Sequence, residues 1–206
     1  MAIAAPPEHV QEMADAARRA LSAARKEPES PQGEELPLAV VPGGETRSAS
    51  VMNGLAALVE PAELVVVQDA ARPLVTPALI GELVAKLASR PDAAAVIAAA
   101  PLTDTVKRAR EPRPAKGEVA RGGPTVAQTL SRDHLWAAQT PQVFRTADLR
   151  AALDTDPQRI AAATDDAMLV EKAGGKVLIH PAPHKNLKVT TQLDLRIAEV
   201  LLAQRG

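Results

Sequence analysis

The sequence has no cysteine, only two aromatic residues, Trp136 and Phe144, and no surplus of charge of either sign. Without thiols, the chain cannot form disulfide bonds, thiolate metal sites or cysteine nucleophiles. Two aromatic rings cannot build a base-stacking surface for single-stranded nucleic acid. With 24 basic and 25 acidic residues, the formal net charge of -1 gives no field that would attract a nucleic-acid backbone or an anionic membrane. We therefore expect neither as a partner, and we expect a cytoplasmic location.

Long hydrophobic runs and the common ligand-binding motifs are also missing. The most apolar stretch, Ala93 to Leu102, is too short to cross a bilayer as a helix, and no basic leader precedes an apolar run at the N-terminus. The four histidines do not show metal-ligand spacing, and neither GxxxxGK[ST] nor GxGxxG occurs. These absences count against export, membrane anchoring, metal hydrolases and nicotinamide enzymes.

The 206 residues, 46% of them hydrophobic, are enough for one substantial core, so a single domain over residues 1–206 is expected. Continuous apolar segments predict strands at residues 2–5, 38–41, 64–67, 94–100, 142–144 and 176–180. Helical spacing and capping residues predict helices at 8–26, 48–59, from Pro77 onwards, 146–153, 165–173 and from Thr191 to the end. This alternation is typical of an α/β fold, with a mostly parallel sheet and helices on both faces.

One segment, residues 107–132, interrupts the alternation. It is charged and contains prolines and three glycines, Gly117, Gly122 and Gly123. Such a composition suits either a flexible loop or a projecting arm. Composition alone does not choose between the two.

Polar residues gather after the predicted strands, where ligands bind to open parallel sheets. Gly43 and Gly44 would let a ligand approach the backbone closely, with the Ser50 hydroxyl nearby, although spacing alone favours an ordinary strand-to-helix turn. Asp69 could hold a metal ion or a ribose hydroxyl, or it could simply pair with Arg72, and we weigh these two readings equally.

Six blocks of the sequence occur in the order of a known family: VPGGETRSASV, VVVQDAARPLV, APLTDTVK, LSRDHLWAAQTPQVFR, TDDAMLVEKAGGKV and NLKVTTQLDL. Together they resemble the 2-C-methyl-D-erythritol 4-phosphate cytidylyltransferases, and the similarity runs from about Ala2 to Leu202. The related ribitol 5-phosphate cytidylyltransferases have DAVRP where this chain has DAARP at Asp69 to Pro73. The resemblance therefore favours the methylerythritol phosphate enzymes.

The resemblance implies a Rossmann-like nucleotidyltransferase sheet and a homodimer joined through residues 107–132 as a projecting arm. It also implies the transfer of CMP from CTP to 2-C-methyl-D-erythritol 4-phosphate with Mg²⁺ as cofactor. The products would be CDP-methylerythritol and pyrophosphate, in the non-mevalonate isoprenoid pathway. The alternatives are a ribitol 5-phosphate cytidylyltransferase or a truncated, non-catalytic nucleotide-binding subunit.

The same resemblance assigns roles to individual residues. Three positions would read the cytosine, two would contact the ribose and the metal, and four would surround the acceptor phosphate. In that order, they are Gly44, Glu45 and Ser50; Asp69 and Ala70; and Thr105, Thr164, Lys188 and Arg132. Arg132 would come from the partner subunit, Asp69 would be the metal ligand, and Lys188 and Arg132 would act in catalysis.

The sequence departs from the family pattern in two places. Gln68 stands where the family has a histidine, and an amide can still donate and accept hydrogen bonds. Ala2 to Pro7 resembles the family's second strand, so the first strand and the glycine-rich loop that binds the triphosphate have no counterpart. We expect a start codon assigned too far downstream rather than a fragment or a decayed relative, because a missing central strand leaves unpaired edges.

Overall fold

Strands and helices alternate along most of the chain, as the hydrophobic pattern predicts. The computed structural model describes residues 1–24, 37–58, 62–110 and 123–204. The strands are β1 (Ala2–Ala5), β2 (Ala39–Pro42), β3 (Leu64–Val67), β4 (Ala95–Pro101), β5 (Lys107–Arg110), β6 (Thr125–Thr129), β7 (Trp136–Arg145) and β8 (Val177–Pro181). The helices are α1 (Val10–Ala24), α2 (Arg47–Ala56), α3 (Pro77–Ala88), α4 (Thr146–Leu153), α5 (Pro157–Ala161), α6 (Asp166–Lys172) and α7 (Gln192–Ala203).

The strands form three sheets within these described ranges. β1 and β2 pair in parallel, from Ala2 opposite Ala39 onwards. A four-stranded sheet has the order β3-β7-β4-β8, and its β3–β7 pair is antiparallel, with Leu64 opposite Arg145. β5 and β6 form a separate antiparallel ribbon. The predicted α/β class is confirmed, and the sheets are mixed rather than wholly parallel.

The chain divides into two compact units, which we describe separately. The first unit comprises residues 1–67, 84–96 and 142–178, and the second comprises residues 68–83, 97–141 and 179–206. The single domain expected from the chain length stays a prediction.

Arg145 organises the first unit from the end of β7. Its guanidinium donates hydrogen bonds to the backbone oxygens of Ala93, Leu87 and Arg90 at 3.0, 3.4 and 3.2 Å and pairs with the Glu63 carboxylate at 3.1 Å. A cation at the end of a helix satisfies carbonyls that have no partner within the helix, and here it serves the end of α3. The neighbouring residues Val143, Phe144 and Leu149 are fully buried.

The second unit contains both a buried core and an exposed ribbon. Leu83 and residues 98–99 are completely buried, whereas every residue of β5 and β6 is exposed. The described ends of the segment 107–132 therefore form a ribbon rather than an irregular loop, and residues 111–122 lie outside the described residues. None of the helices in the described ranges is long and apolar enough to span a membrane.

Most predicted element bounds agree with the structure to within one or two residues. Helix α1 begins later than predicted because Pro7–His9 forms a turn of 3-10 helix. β7 is longer than predicted, since Gln139, Thr140 and Pro141 interrupt the apolar pattern between residues 136–138 and 142–144. The short helix α5 was not predicted, because five residues are too few for a periodic pattern, although Asp156 caps it by accepting from the Gln158 amide. α2 ends at Ala56 with Ala57 as its C-cap, so the predicted helix end near residue 59 is wrong, whereas the predicted end of α1 at residue 26 lies outside the described ranges.

Two glycines, Gly81 and Gly175, are predicted to respond in opposite directions to substitution by alanine. Gly81 lies in α3, where an added Cβ has no atom within 4 Å, so Gly81→Ala should stabilise the protein by about 0.5 to 1 kcal/mol through helix propensity. A Cβ on Gly175 would lie 2.6 Å from Cγ1 of Val170, so Gly175→Ala should destabilise by roughly 1 to 3 kcal/mol. Urea unfolding of both variants measures this, and shifts of the same sign would contradict the packing described here.

The N-terminus of α7 predicts a pH-dependent contribution to stability. The Asp194 carboxylate accepts from the amides of Thr190 and Thr191 at 3.0 and 2.8 Å and from the Thr190 hydroxyl, which lowers the pKa of Asp194 from 3.8 to about 2. A lowered pKa in the folded state adds stability above pH 3.8 that is lost as the pH falls towards 2. The gap in unfolding free energy between wild type and Asp194→Asn should therefore shrink over that range. Asp154→Asn, at the exposed end of α4, is the control and should show a smaller change with pH.

Candidate active site

The end of β2, the turn that follows it and the first residues of α2 carry the predicted nucleotide-binding residues Gly44, Glu45 and Ser50 in the first unit. We call this segment, residues 42–50, the glycine turn. The Gly43 amide donates to the Ala5 backbone oxygen at 2.7 Å, which joins the turn to β1. The Gly44 amide donates to Ser50 Oγ at 3.0 Å, and the Ser50 hydroxyl donates to the Thr46 backbone oxygen at 3.1 Å. The hydroxyl proton of Ser50 is thus used within the turn, and the oxygen keeps one free lone pair.

Gly44 is required by the turn itself. A Cβ at this position would lie 2.4 Å from Cβ of Ala49, closer than real Cβ atoms come, so no other residue fits without moving the backbone of α2. Thr46 caps α2, accepting from the Ala49 amide at 3.1 Å. The strand-to-helix turn that the spacing favours therefore explains the glycine at position 44 without a ligand. Glu45 is exposed on the same turn.

A buried ion pair connects the first turn of α2 with α6. Arg47 Nη1 lies 2.5 Å from Oδ2 of Asp166, whose side chain is 0% exposed, and Ser48 Oγ lies 3.4 Å from the other carboxylate oxygen. Burial raises the pKa of Asp166, and the Arg47 cation acts against that rise. Sequence reasoning missed both partners, because neither GGETR nor TDD indicates that the two blocks meet.

The turn before α6 carries Thr164, a predicted acceptor-phosphate residue. Thr164 is exposed, and its hydroxyl lies 3.6 Å from Sδ of Met168. Asp165 caps α6 by accepting from the Met168 amide and also accepts from Nε2 of Gln142, both at 2.9 Å. The Arg47–Asp166 pair therefore links the glycine turn to the Thr164 turn within the first unit.

In the second unit, the structure brings Asp69 and Lys188 together. Nζ of Lys188 lies 3.1 Å from Oδ2 of Asp69, and the two side chains are 44% and 17% exposed. The Asp69 amide donates to Thr140 Oγ1 at 3.0 Å. Asp69 thus pairs with Lys188, whereas the alternative partner proposed from the sequence, Arg72, donates to the Asn186 backbone oxygen at 2.8 Å. Burial lowers the pKa of Arg72, and the charge of Asp69 opposes that shift.

The remaining predicted residues of the second unit are exposed. Ala70 follows Asp69 in an exposed turn, and Thr105 is exposed in the segment between β4 and β5. Arg132 Nη1 donates to the backbone oxygen of Thr103 in the same chain. This hydrogen bond holds the Arg132 guanidinium against the segment between β4 and β5, which also carries Thr105.

Asn186 and Thr140 are buried polar residues that sequence reasoning did not select. Asn186 is 1% exposed, and its amide nitrogen donates to Oε1 of Gln139 at 2.8 Å and to the Thr140 backbone oxygen at 2.9 Å. Asn186 stands two residues before Lys188 in the NLKVTT block, and this proximity was the only available signal. A buried asparagine with both amide hydrogens engaged is a typical support for a neighbouring functional residue.

Comparison with known proteins gives one consistent result. A family model described as IspD, 2-C-methyl-D-erythritol 4-phosphate cytidylyltransferase, matches residues 13–204. A protein with that enzyme name from Pelotomaculum thermopropionicum is 44% identical over 167 residues, which are 81% of this chain and 64% of the relative. Another, from Thermosynechococcus vestitus, is 44% identical over 82% of this chain and 66% of its own length. The chain thus spans less than two thirds of these two relatives.

A solved structure agrees with the sequence matches. The crystal structure of 4-diphosphocytidyl-2C-methyl-D-erythritol synthase from Anaerococcus prevotii superposes with a TM-score of 0.73 and 26% identity. The superposition covers 98% of this chain and 80% of that one. The fold and the order of the sequence blocks therefore point to the same group of proteins.

The Arg47–Asp166 pair yields a stability prediction. Arg47→Met leaves the Asp166 carboxylate buried without this cation and should lower the free energy of unfolding by about 3 kcal/mol. The double variant Arg47→Met/Asp166→Asn removes the unpaired charge and should recover part of that loss. Arg18→Met, which breaks an exposed pair with Asp15 in α1, is the control and should change stability by less than about 1 kcal/mol. Chemical denaturation measures all three, and equal losses for Arg47 and Arg18 would contradict the prediction.

Proposed function

Because the chain belongs to the 2-C-methyl-D-erythritol 4-phosphate cytidylyltransferase family, we propose that it transfers CMP from CTP to 2-C-methyl-D-erythritol 4-phosphate. The structural observation that carries this proposal is the Asp69–Lys188 pair, which places a carboxylate and a cation side by side. Such a pair suits a reaction that joins a metal-bound nucleotide to a phosphate ester.

The glycine turn is the proposed cytosine site. Cytosine presents an exocyclic amine, which donates hydrogen bonds, where uracil presents an acceptor oxygen. The Ser50 hydroxyl already donates a hydrogen bond to the Thr46 backbone oxygen, so it can offer a ligand only the remaining lone pair of its oxygen. An acceptor at this position suits the amine of cytosine. Gly44 and Glu45 are proposed to contribute from the same turn.

The acceptor phosphate is proposed to bind to Lys188 and Thr105 of the second unit, with Arg132 supplied by a partner subunit, and the role of Thr164 stays a prediction from the resemblance. Lysine and arginine are the usual side chains for a phosphate dianion, and hydroxyls add neutral donors. Lys188 supports this role because its side chain is 44% exposed and its ammonium group is held at Asp69 rather than free in solvent.

Mg²⁺ is proposed as the cofactor, with Asp69 as its protein ligand and Ala70 beside the ribose. The described residues contain no cluster of three or more carboxylates, histidines or cysteines. One carboxylate nevertheless fits this ion, because Mg²⁺ is commonly held by one or two carboxylates together with substrate phosphates. When bound, the ion would neutralise charge on the triphosphate.

The transfer step forms one bond and breaks one. An oxygen of the acceptor phosphate attacks the α-phosphorus of CTP, the bond from the α-phosphorus to the bridging oxygen breaks, and pyrophosphate leaves with the electron pair. The residues of this chain bind and orient the two anions, since positioning and charge stabilisation account for most catalysis of this kind. Lys188 and Arg132 would reduce the repulsion between them.

A homodimer and a cytoplasmic location complete the proposal. The dimer rests on the family resemblance, with the ribbon of β5 and β6 as the proposed contact surface, since all its residues are exposed. The location stays a proposal.

The test is pyrophosphate release from CTP in the presence of methylerythritol phosphate. Lys188→Ala should lower kcat/KM for the acceptor about a hundredfold, with a much smaller effect on CTP affinity, because the lost cation faces the acceptor phosphate. Lys172→Ala, on the exposed face of α6, is the matched control and should behave as wild type.

Three results would count against the proposal. An unchanged rate for Lys188→Ala would remove Lys188 from the site. Faster turnover of ribitol 5-phosphate than of methylerythritol phosphate would reassign the acceptor. CTP binding by the folded chain without any pyrophosphate release would favour the non-catalytic nucleotide-binding subunit.

A further inference from the structure

We infer that Asn186 is a positioning residue that sets the spacing between Asp69 and Lys188; its catalytic meaning rests on the function proposed above. Asn186 touches neither of these two side chains in the hydrogen bonds described above. It acts on the backbone segments that carry them. All the residues concerned lie in the second unit.

Three segments of the chain meet at Asn186. Its side chain binds residues 139 and 140 in β7, and its backbone oxygen accepts from the Arg72 guanidinium at 2.8 Å. The segment of Asn186 itself continues to Lys188. One residue at 1% exposure therefore joins the middle of β7, the turn after β3 and the segment before α7.

From Asn186, the Asp69 amide is two hydrogen bonds away through Thr140, and Lys188 lies two residues further along the chain. Thr140, whose backbone oxygen accepts from Asn186, accepts the Asp69 amide at its own hydroxyl. On the other side, the Val189 amide donates to the Ala71 backbone oxygen at 2.8 Å, which fixes the residue after Lys188 against the turn of Asp69. The backbone segments that carry Asp69 and Lys188 are thus joined to each other by the Val189–Ala71 hydrogen bond and to Asn186 through Thr140 and Arg72.

The chemistry of the side chain explains why asparagine suits this position. Both acceptors, Oε1 of Gln139 and the Thr140 oxygen, need donors, and a carboxamide offers two N–H groups in one plane without introducing charge. Oδ1 of Asn186 is buried and has no hydrogen-bond partner among the described residues. An apolar residue at this position would leave both buried acceptors without this donor, which is unfavourable.

Amide hydrogen exchange tests the positioning without relying on activity. In Asn186→Ala, the amides of Asp69 and Val189 should lose at least about tenfold more protection than the Ala182 amide, which donates to Ala99 in the same unit. Thr140→Val, which removes only the hydroxyl acceptor, should affect the Asp69 amide and spare Val189. Leu83→Ala is the control, because loss of a fully buried side chain should lower protection at all three amides alike.

Two exchange results would overturn the inference. The first is Asn186→Ala lowering all three amides equally, as Leu83→Ala does, which would make Asn186 an ordinary core residue. The second is full retention of protection at Asp69 and Val189. If Asn186→Ala does not fold, Asn186→Ser keeps one donor and is read against the same amides, and Thr140→Val remains an independent measure.

A binding cycle then separates this inference from the proposed function. Calorimetry with methylerythritol phosphate should show about tenfold weaker binding for Asn186→Ala, but less than about twofold further weakening when Lys188 is already methionine, because the effects of residues in one hydrogen-bond network are not additive. Equal weakening in both backgrounds would show that Asn186 does not act through Lys188. If Lys188→Met alone leaves binding unchanged, the proposed role of Lys188 fails, whereas the exchange pattern still decides whether Asn186 positions the two segments.

Discussion

Burying a polar group is unfavourable unless it finds a partner, and this constraint shapes the candidate residues of each unit. A carboxylate removed from water is unfavourable unless a cation or several donors approach it, so Asp166 at 0% exposure requires Arg47. The same rule applies to Asn186, whose amide hydrogens are both taken by neighbouring acceptors. In each unit a polar residue that is closed to solvent thereby joins segments that are distant in the sequence.

These connections matter because the rest of the core has little capacity to fix loops. The core is built from alanine and small aliphatic residues, with Phe144 as its only phenylalanine. Small side chains allow close packing, as the tight surroundings of Gly175 show, but they are too short to reach out and hold a turn. Directional hydrogen bonds and ion pairs therefore fix the turns that follow the strands.

The sequence predicted the elements well and their partnerships poorly. The capping box of α7 was visible in the spacing of Thr191 and Asp194, because a cap is a local interaction written in neighbouring residues. The composition of residues 107–132 suits either a loop or an arm, because the exposed polar strands β5 and β6 carry no periodic apolar signal.

The candidate site follows the same division. Resemblance selected Asp69 and Lys188, and the structure places their charged groups 3.1 Å apart. Neither resemblance nor spacing identified Arg47, Thr140 or Asn186 as supports, because a long-range partner leaves no mark in the residues beside it. Conversely, the requirement for glycine at position 44 turned out to have a local cause, the approach of Ala49, which spacing alone had favoured.

The pairing of Lys188 with Asp69 affects the free energy with which the proposed site would bind a phosphate. A free lysine side chain loses rotamer freedom when it binds a phosphate, and that loss opposes binding. Lys188 is already confined by Asp69, so less freedom would remain to be lost when the ammonium group turns to an acceptor phosphate. Any cation that takes up the Asp69 carboxylate would also release the lysine charge. The Asp69–Lys188 ion pair thus restricts the lysine side chain before a ligand binds, which lowers the side-chain entropy that the proposed transfer reaction would lose.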